Sequence, residues 1–385
     1  VLNIFLDVSR LMTRLYDGLR PTGVDRVGLA YIQRYGANAR AVLSERGFCS
    51  ILSAADTRET FDLLLSPSKI DRWAIRKIVA RACVQSVSRR PTNGGILLHT
   101  SHNGMEYGRY YDALARRNIR PVFLIHDLIP VTHAEFCRPG VDALHRHRID
   151  TALRRAAGLI ANSNATFESL LTEAARAGIT TPPPTVVARL APGPVERLSS
   201  PPPIDEPYFV MLGTIEPRKN HWFILHVWRR LAEQMGDNAP KLVIIGRRGW
   251  ECENVIDMLE RCEPLRRVVI EESDCSDMQL NAWLQHARAL LFPSFVEGYG
   301  MPLVEALGLG VPVIASDLPV FHEIASDFPT YLDPLDGPAW YANIRAYMEY
   351  GSPERHRQIQ RIASFRTPTW NEHFEQVDDF LDALH

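Results

Sequence analysis

Nine prolines fall between residues 182 and 207, among them Pro182-Pro183-Pro184 and Pro201-Pro202-Pro203. Proline has no ladder donor, fixes its own φ and restricts the residue before it, so no single strand or helix can cross this span. It reads as a last strand ending at Leu190, then a hinge. On either side, short Val/Ile/Leu runs alternate with helix-length segments. The runs before it are 2–6, 96–99, 122–125, 158–161 and 186–190. Those after it are 208–212, 242–245, 268–270, 289–292 and 313–315. Apolar runs of this length, separated by helices, belong to parallel sheets covered on both faces. A chain of 385 residues also exceeds one ordinary core. The expected fold is α/β, two Rossmann-like domains, with residues 1–198 in the first and 199–365 in the second.

Composition narrows the function classes. Hydrophobic residues make up 46% of the chain, yet no run of about 18 apolar residues occurs, so no spanning helix is expected. The first eight residues lack a basic start and read as a strand, not a signal peptide. Cys49, Cys83, Cys137, Cys252, Cys262 and Cys275 are scattered without a C-x-x-C pair, which fits idle thiols in a reducing cytoplasm. His133, His145 and His147 lack an acidic or cysteine partner at ligand spacing, so no metal site is expected. Net charge is −2, but residues 1–198 hold 27 Lys+Arg against 17 Asp+Glu, a balance of +10, and residues 199–385 hold 16 against 28, a balance of −12. That asymmetry points to an anionic surface or ligand near the first half.

The chemistry concentrates in residues 292–323. An apolar strand opens at Pro293 into a turn carrying Glu297, Gly298, Tyr299, Gly300 and Met301. A helix follows with Pro302 suited to its first position, and Glu305 is expected on its first turn. Gly308 and Gly310 end the helix before the next strand. Gly298 and Gly300 let backbone amides approach a ligand, and the helix start adds N–H donors, an environment for phosphate. An ionised carboxylate accepts from two vicinal hydroxyls. One glutamate can therefore hold a ribose and the other a hexose, with diphosphate between them.

The Glu-Gly-Tyr-Gly-Met-Pro stretch, the E-x7-E spacing of Glu297 and Glu305, and Ser316-Asp317…His322-Glu323 resemble retaining glycosyltransferases of the GT-B fold, family 4. The resemblance implies two Rossmann-like domains facing a central cleft, with a C-terminal helix, 366–385, packing on the N-domain. It implies that Glu305 contacts the ribose and Glu297 the donor hexose. Gly213-Thr-Ile-Glu216-Pro-Arg218-Lys219, at the end of another strand, is similar to the family's phosphate-binding element. Thr214 stands where many members have arginine, which places more of the diphosphate on Arg218 and Lys219.

Three further segments are candidates. Ile125-His126-Asp127-Leu128-Ile129-Pro130 follows a strand. The resemblance places His126 toward the donor's anomeric region, with Asp127 orienting its ring; a strand-end structural histidine is the alternative. In Arg20-Pro-Thr22-Gly23-Val-Asp25-Arg26, before a helix over 27–35, Gly23 would admit donor phosphate. Asp25 and Arg26 would lie behind it, and a plain helix cap at Thr22 is the other reading. Residues 69–90 carry seven basic residues and one acid, with Ile70, Trp73, Ala74, Ile78 and Ala82 expected on the opposite face. Such a helix suits an anionic membrane, or equally an ordinary charged outer surface.

Together these imply a metal-independent hexosyltransferase: no D-x-D occurs, and no cofactor beyond the nucleotide-sugar co-substrate is required. The version His-Asp-Leu-Ile-Pro is similar to bacterial mannosyltransferases. That implies GDP-mannose as donor and a lipid-linked saccharide of a surface polysaccharide as acceptor, at the inner face of the cell membrane. No nucleic-acid motif accompanies the basic charge. A sugar-nucleotide epimerase or phosphorylase of the same fold, or a glycan-binding protein without catalysis, are the competing readings.

Overall fold

The computed structural model describes residues 2–66, 71–87, 94–193 and 197–384. The chain forms two units. The first comprises Val1–Val131, Gly140–Leu190 and Trp370–His385; the second comprises Thr132–Pro139 and Ala191–Thr369. The change of unit at Leu190–Ala191 falls inside the proline-rich span, ahead of residue 198.

The first unit is built on β1 (Ile4–Asp7), β2 (Arg40–Glu45), β3 (Phe48–Ile51), β4 (Gly95–His99), β5 (Ile119–Ile125), β6 (Gly158–Ala161) and β7 (Thr185–Val187). Their order is β3-β2-β1-β4-β5-β6-β7. All neighbours are parallel except β2 and β3, which form a hairpin. Its turn is Arg46-Gly47, with φ of 46° and 86°. Two left-handed residues in a two-residue loop match the strand twist. The four helices before β4 are α1 (Ser9–Tyr16), α2 (Gly23–Tyr35), α3 (Ala54–Leu65) and α4 (Arg72–Val87). Leu97, Phe123, Ile125, Tyr110 and Leu159 are fully buried at the centre of this unit.

The helix Trp370–Ala383 belongs to the first unit and packs against β7. Phe374, Val377 and Leu381 are its buried stripe. Gly158 makes room for it, since a Cβ there would lie 2.6 Å from the Phe380 ring. Its polar anchor is His373, which lies 3.1 Å through Nδ1 from the Arg189 carbonyl and accepts at Nε2 from the Tyr31 hydroxyl at 3.0 Å. Burial depresses the His373 pKa from 6.5 to about 4. The folded state thus resists a proton that the unfolded chain accepts. Its stabilising share is complete above 6.5 and is lost as the pH falls toward about 4. Between pH 7 and pH 5 the parent protein is expected to lose about 2 kcal/mol more than the variant His373→Gln, measured by urea unfolding. Equal losses would separate this histidine from acid lability.

The second unit carries β8 (Tyr208–Leu212), β9 (Lys241–Ile245), β10 (Val269–Glu272), β11 (Leu290–Phe292), β12 (Val313–Ser316) and β13 (Thr330–Leu332). The order is β10-β9-β8-β11-β12-β13, all parallel. The strand order reverses direction between β8 and β11, and open α/β sheets bind ligands outside the carboxyl ends of such a pair. Trp228, Trp340 and Phe209 are buried in this unit's core. Thr132–Pro139 also joins it: Phe136 stacks on Phe295 at 5.3 Å, and Trp250 Nε1 donates to the Phe136 carbonyl at 3.2 Å.

Candidate functional site

The loops after β8 and β11 leave the sheet side by side. Gly213 begins the first with φ of +137°, and a Cβ there would lie 3.3 Å from Lys219 Cε. Glycine thus lets the lysine side chain return over the strand end. The second loop is tied to the first by the Phe295 N–H, which donates to the Arg218 carbonyl at 2.9 Å.

Between them lies a buried ionic cluster. Lys219 Nζ is 2.5 Å from Glu297 Oε1, and Arg218 Nη1 is 2.7 Å from Oε2. Ser294 Oγ donates to Glu297 at 2.8 Å, and Arg218 Nε also pairs with Glu216 at 2.6 Å. Burial would raise the Glu297 pKa, but Arg218, Lys219 and the two side-chain hydrogen bonds overcome it and bring it down to about 2. Glu297 is ionised at any physiological pH. Lys219 lies 4.8 Å from the Phe292 ring centroid, and burial lowers its pKa against the opposing pull of Glu297. Arg218 and Lys219 therefore do not stand open for a diphosphate in this structure. Both are committed to carboxylates because the 293–297 loop folds back on them.

The helix Met301–Gly308 begins one residue earlier than Pro302. Gly300 caps it in a left-handed conformation with φ of +114°, and a Cβ there would meet Phe321 at 2.8 Å. With that start, Glu305 is not on the first turn; it lies one turn in and is buried. Tyr299 is buried, while Gly298 and Met301 are half-buried.

In the first unit, His126 is buried at the end of β5. Its Nε2 lies 2.9 Å from the Thr100 carbonyl. Asp127 does not orient the ring as expected: its carboxylate accepts from the Ile129 N–H at 3.1 Å and starts the next turn. The His126 N–H donates to His102 Nε2 at 3.1 Å, and His102 lies 4.8 Å from His145 between ring centroids. His145 Nε2 contacts the Asp127 carbonyl at 3.1 Å. Burial lowers the pKa of all three histidines, so they stay neutral. His102 carries no recognisable motif, and its place beside His126 arises only because β4 and β5 are neighbours.

Helix α2 starts at Gly23, not Val27, with Thr22 as its N-cap, the alternative reading, and Asp25 as the other half of a capping box. Thr22 N and Oγ1 both donate to Asp25 Oδ2 at 2.7 Å. The same carboxylate is buried between Arg10 and Arg14, each at 2.7 Å. Asp25 is a lock between α1 and α2. Gly23 is exposed with open space where a Cβ would be, and Arg26 is half-buried.

One residue beside the cluster escaped the sequence reading. His221 begins the helix His221–Met235, is buried, and neither ring nitrogen has a protein partner. Burial and the Lys219 charge push its pKa down to about 3. A histidine after Arg-Lys-Asn has no distinguishing pattern in one sequence. Among the described residues no helix is long and apolar enough to cross a membrane, and no three His, Cys, Asp or Glu gather as metal ligands.

Comparison with known proteins finds a likeness in the second unit. The family model described as glycosyl transferases group 1 matches residues 195–363. Over those residues the chain is similar to a group 1 glycosyltransferase domain. The serotype-specific mannosyltransferase WbdA of Escherichia coli is 37% identical over 125 residues, 32% of this chain and 15% of that relative. The O-antigen chain mannosyltransferase B of Escherichia coli is 30% identical over 164 residues, 42% of each chain. The alignments thus span less than half the length of these relatives. The crystal structure of Anabaena HepE in complex with UDP and glucose superimposes over 100% of both chains with a TM-score of 0.69 at 14% identity. The fold is GT-B, two Rossmann-type sheets in one chain. The matched residues contain both loops of the ionic cluster and the Glu305 helix.

Proposed function

We propose that this protein transfers a hexose from a nucleoside-diphosphate sugar to a saccharide hydroxyl, with retention at the anomeric carbon and without a metal ion. The observation that carries this reading is the ionised Glu297, clamped by Lys219 and Arg218 where β8 and β11 release their loops, in residues similar to a group 1 glycosyltransferase domain. Glu297 would hold the hexose hydroxyls and Glu305 the ribose diol. The acceptor oxygen bonds to the anomeric carbon as that carbon's bond to the phosphate oxygen breaks, and the acceptor proton passes to the departing diphosphate. The four-member set of Arg218, Lys219, Glu216 and Glu297 is formally neutral. Part of the diphosphate charge therefore falls to the amides around Gly298 and Gly300 and to the helix start at Met301. His126, neutral and fixed by Thr100, would face the sugar as a hydrogen-bonding group.

Mannose as the hexose, and GDP as its carrier, are supported by the names of the relatives and by the His126–Pro130 stretch. A lipid-linked acceptor is supported by α4. Its buried stripe is Ile75, Ile78 and Ala82, not Trp73. Trp73 is 64% exposed with Lys77 Nζ 3.0 Å from its ring centroid. Lys69, Ile70, Arg89 and Arg90 lie outside the described residues.

A panel of nucleotide sugars, assayed for nucleotide release with and without a lipid-linked saccharide, tests the whole reading. GDP-mannose with acceptor should release nucleotide fastest, and NMR should show the product with the donor's anomeric configuration. Equal release without acceptor, or an inverted product, would overturn it.

A further inference from the structure

The first unit holds a cavity of about 190 Å3. Its apolar walls are Leu11 and Leu15 on α1, Leu19 in the turn after it, Leu29 on α2 and Leu64 on α3; Arg14, Arg20 and Asp25 are its charged lining residues. Leu19 is 36% exposed, so the cavity opens toward solvent at this turn.

Arg14 and Arg20 line it, with Asp25 among them and Asp17 at the end of α1. Asp25 is a single carboxylate facing both Arg10 and Arg14. Arg14 Nη2 also donates to the Arg20 carbonyl at 2.6 Å, which fixes the turn that bears Leu19. At the end of α1, Tyr16 joins the cavity to α4. Arg72 donates to its carbonyl at 3.0 Å, and Arg76 donates to its hydroxyl at 2.6 Å. Among the described residues no carboxylate pairs with Arg72, Arg76 or Lys77, whereas Arg81 pairs with Asp56 and Glu59.

We propose that this cavity is the seat of one hydrocarbon chain ending in phosphate, the lipid part of the acceptor. The chain lies between α1, α2 and α3, and its phosphate meets the arginines of the 18–21 turn and α4. The volume fixes the occupant. An apolar cavity of about 150 Å3 takes one benzene, so this one takes a single chain segment and not the two tails of a diacyl phospholipid. The inference rests on the lipid-linked acceptor proposed above, and it deepens that reading by naming the site.

The test is calorimetric titration of the whole protein with decyl phosphate below its micelle concentration, beside decanol and inorganic phosphate. Decyl phosphate should bind at least tenfold more tightly than either part alone. Leu29→Trp, which fills the cavity, should weaken it at least tenfold. Leu64→Phe is the second filling variant should the first not fold, as judged by its thermal melt. Sedimentation with phosphatidylglycerol vesicles should fall when Arg72, Arg76 and Lys77 are changed to Gln, but not with Leu29→Trp. Unchanged decyl phosphate affinity in the filled variants, or inorganic phosphate binding as well as the alkyl ester, would overturn the proposal. Vesicle binding that fails in Leu29→Trp would make bulk phospholipid the occupant and overturn it as well. None of these readouts uses sugar transfer. Loss of alkyl phosphate binding therefore refutes the cavity alone, and a failed donor panel refutes the transferase reading alone.

Discussion

Replacing Lys219 with alanine is expected to reduce turnover by about 100- to 1000-fold, the usual loss when one group stabilising a developing charge is removed. The effect has two sources. A cation disappears from the phosphate side of the site, and Glu297 loses a partner at 2.5 Å. The second source also destabilises the fold, by about 1–3 kcal/mol, because a buried carboxylate is left under-satisfied. Lys219→Ala with Glu297→Gln should restore most of that stability and none of the turnover. Steady-state kinetics and urea unfolding on the two variants separate the roles. Parent-level turnover in Lys219→Ala would exclude the lysine from catalysis. The acid limb gives an independent check. With its pKa held near 2 against an ordinary 4.5, Glu297 contributes stability that is complete above 4.5 and is lost as the pH falls toward about 2. Lys219→Ala should show a smaller loss over that window.

Glu305→Ala is expected to weaken nucleotide binding by about 10- to 100-fold, the range for losing charge-assisted hydrogen bonds to hydroxyls. The glutamate is buried one turn inside the helix Met301–Gly308, so it is held in place before a ligand arrives. Calorimetry with GDP and with 2′,3′-dideoxy-GDP provides the contrast. The parent should favour GDP, and the variant should bind both alike. A variant that still prefers GDP would remove Glu305 from the ribose. This outcome is independent of the Lys219 cluster, since the proposed reading puts the two groups at different ends of the donor.

The sequence was most legible where strands are buried on both faces. Runs such as 208–212 and 242–245 fall in β8 and β9, because strands buried on both faces read as unbroken apolar runs, here each closed by a glycine. The strands that escaped lie toward the sheet edges. β2 and β3 are half-buried, with Arg40 and Ser44 among the apolar positions, and β13 has only Thr330–Leu332. The Glu297 and Glu305 motif was legible because glycine, proline and acid each have a distinct backbone reason to be there. Its ionic state was not. Whether Arg218 meets solvent or Glu297 depends on a loop folding back through the Phe295 N–H, a contact across more than seventy residues with no local signature. For the same reason Asp25 looked like a ligand-side acid, when Arg10 and Arg14 from the preceding helix enclose it. Trp73 was misplaced because five apolar residues at helical spacing did not reveal which of them the neighbouring strand would cover.

The backbone changes unit after Val131, after Pro139, after Leu190 and after Thr369. A chimera that takes its donor specificity from a homologue therefore cannot be made with one crossover at the prolines. Such a splice would graft a foreign Phe136 segment against Phe295, and a foreign terminal helix against the Gly158 notch that receives Phe380. Gene shuffling of this protein should yield active hybrids only when residues 132–139 travel with the downstream module and 370–385 with the upstream one.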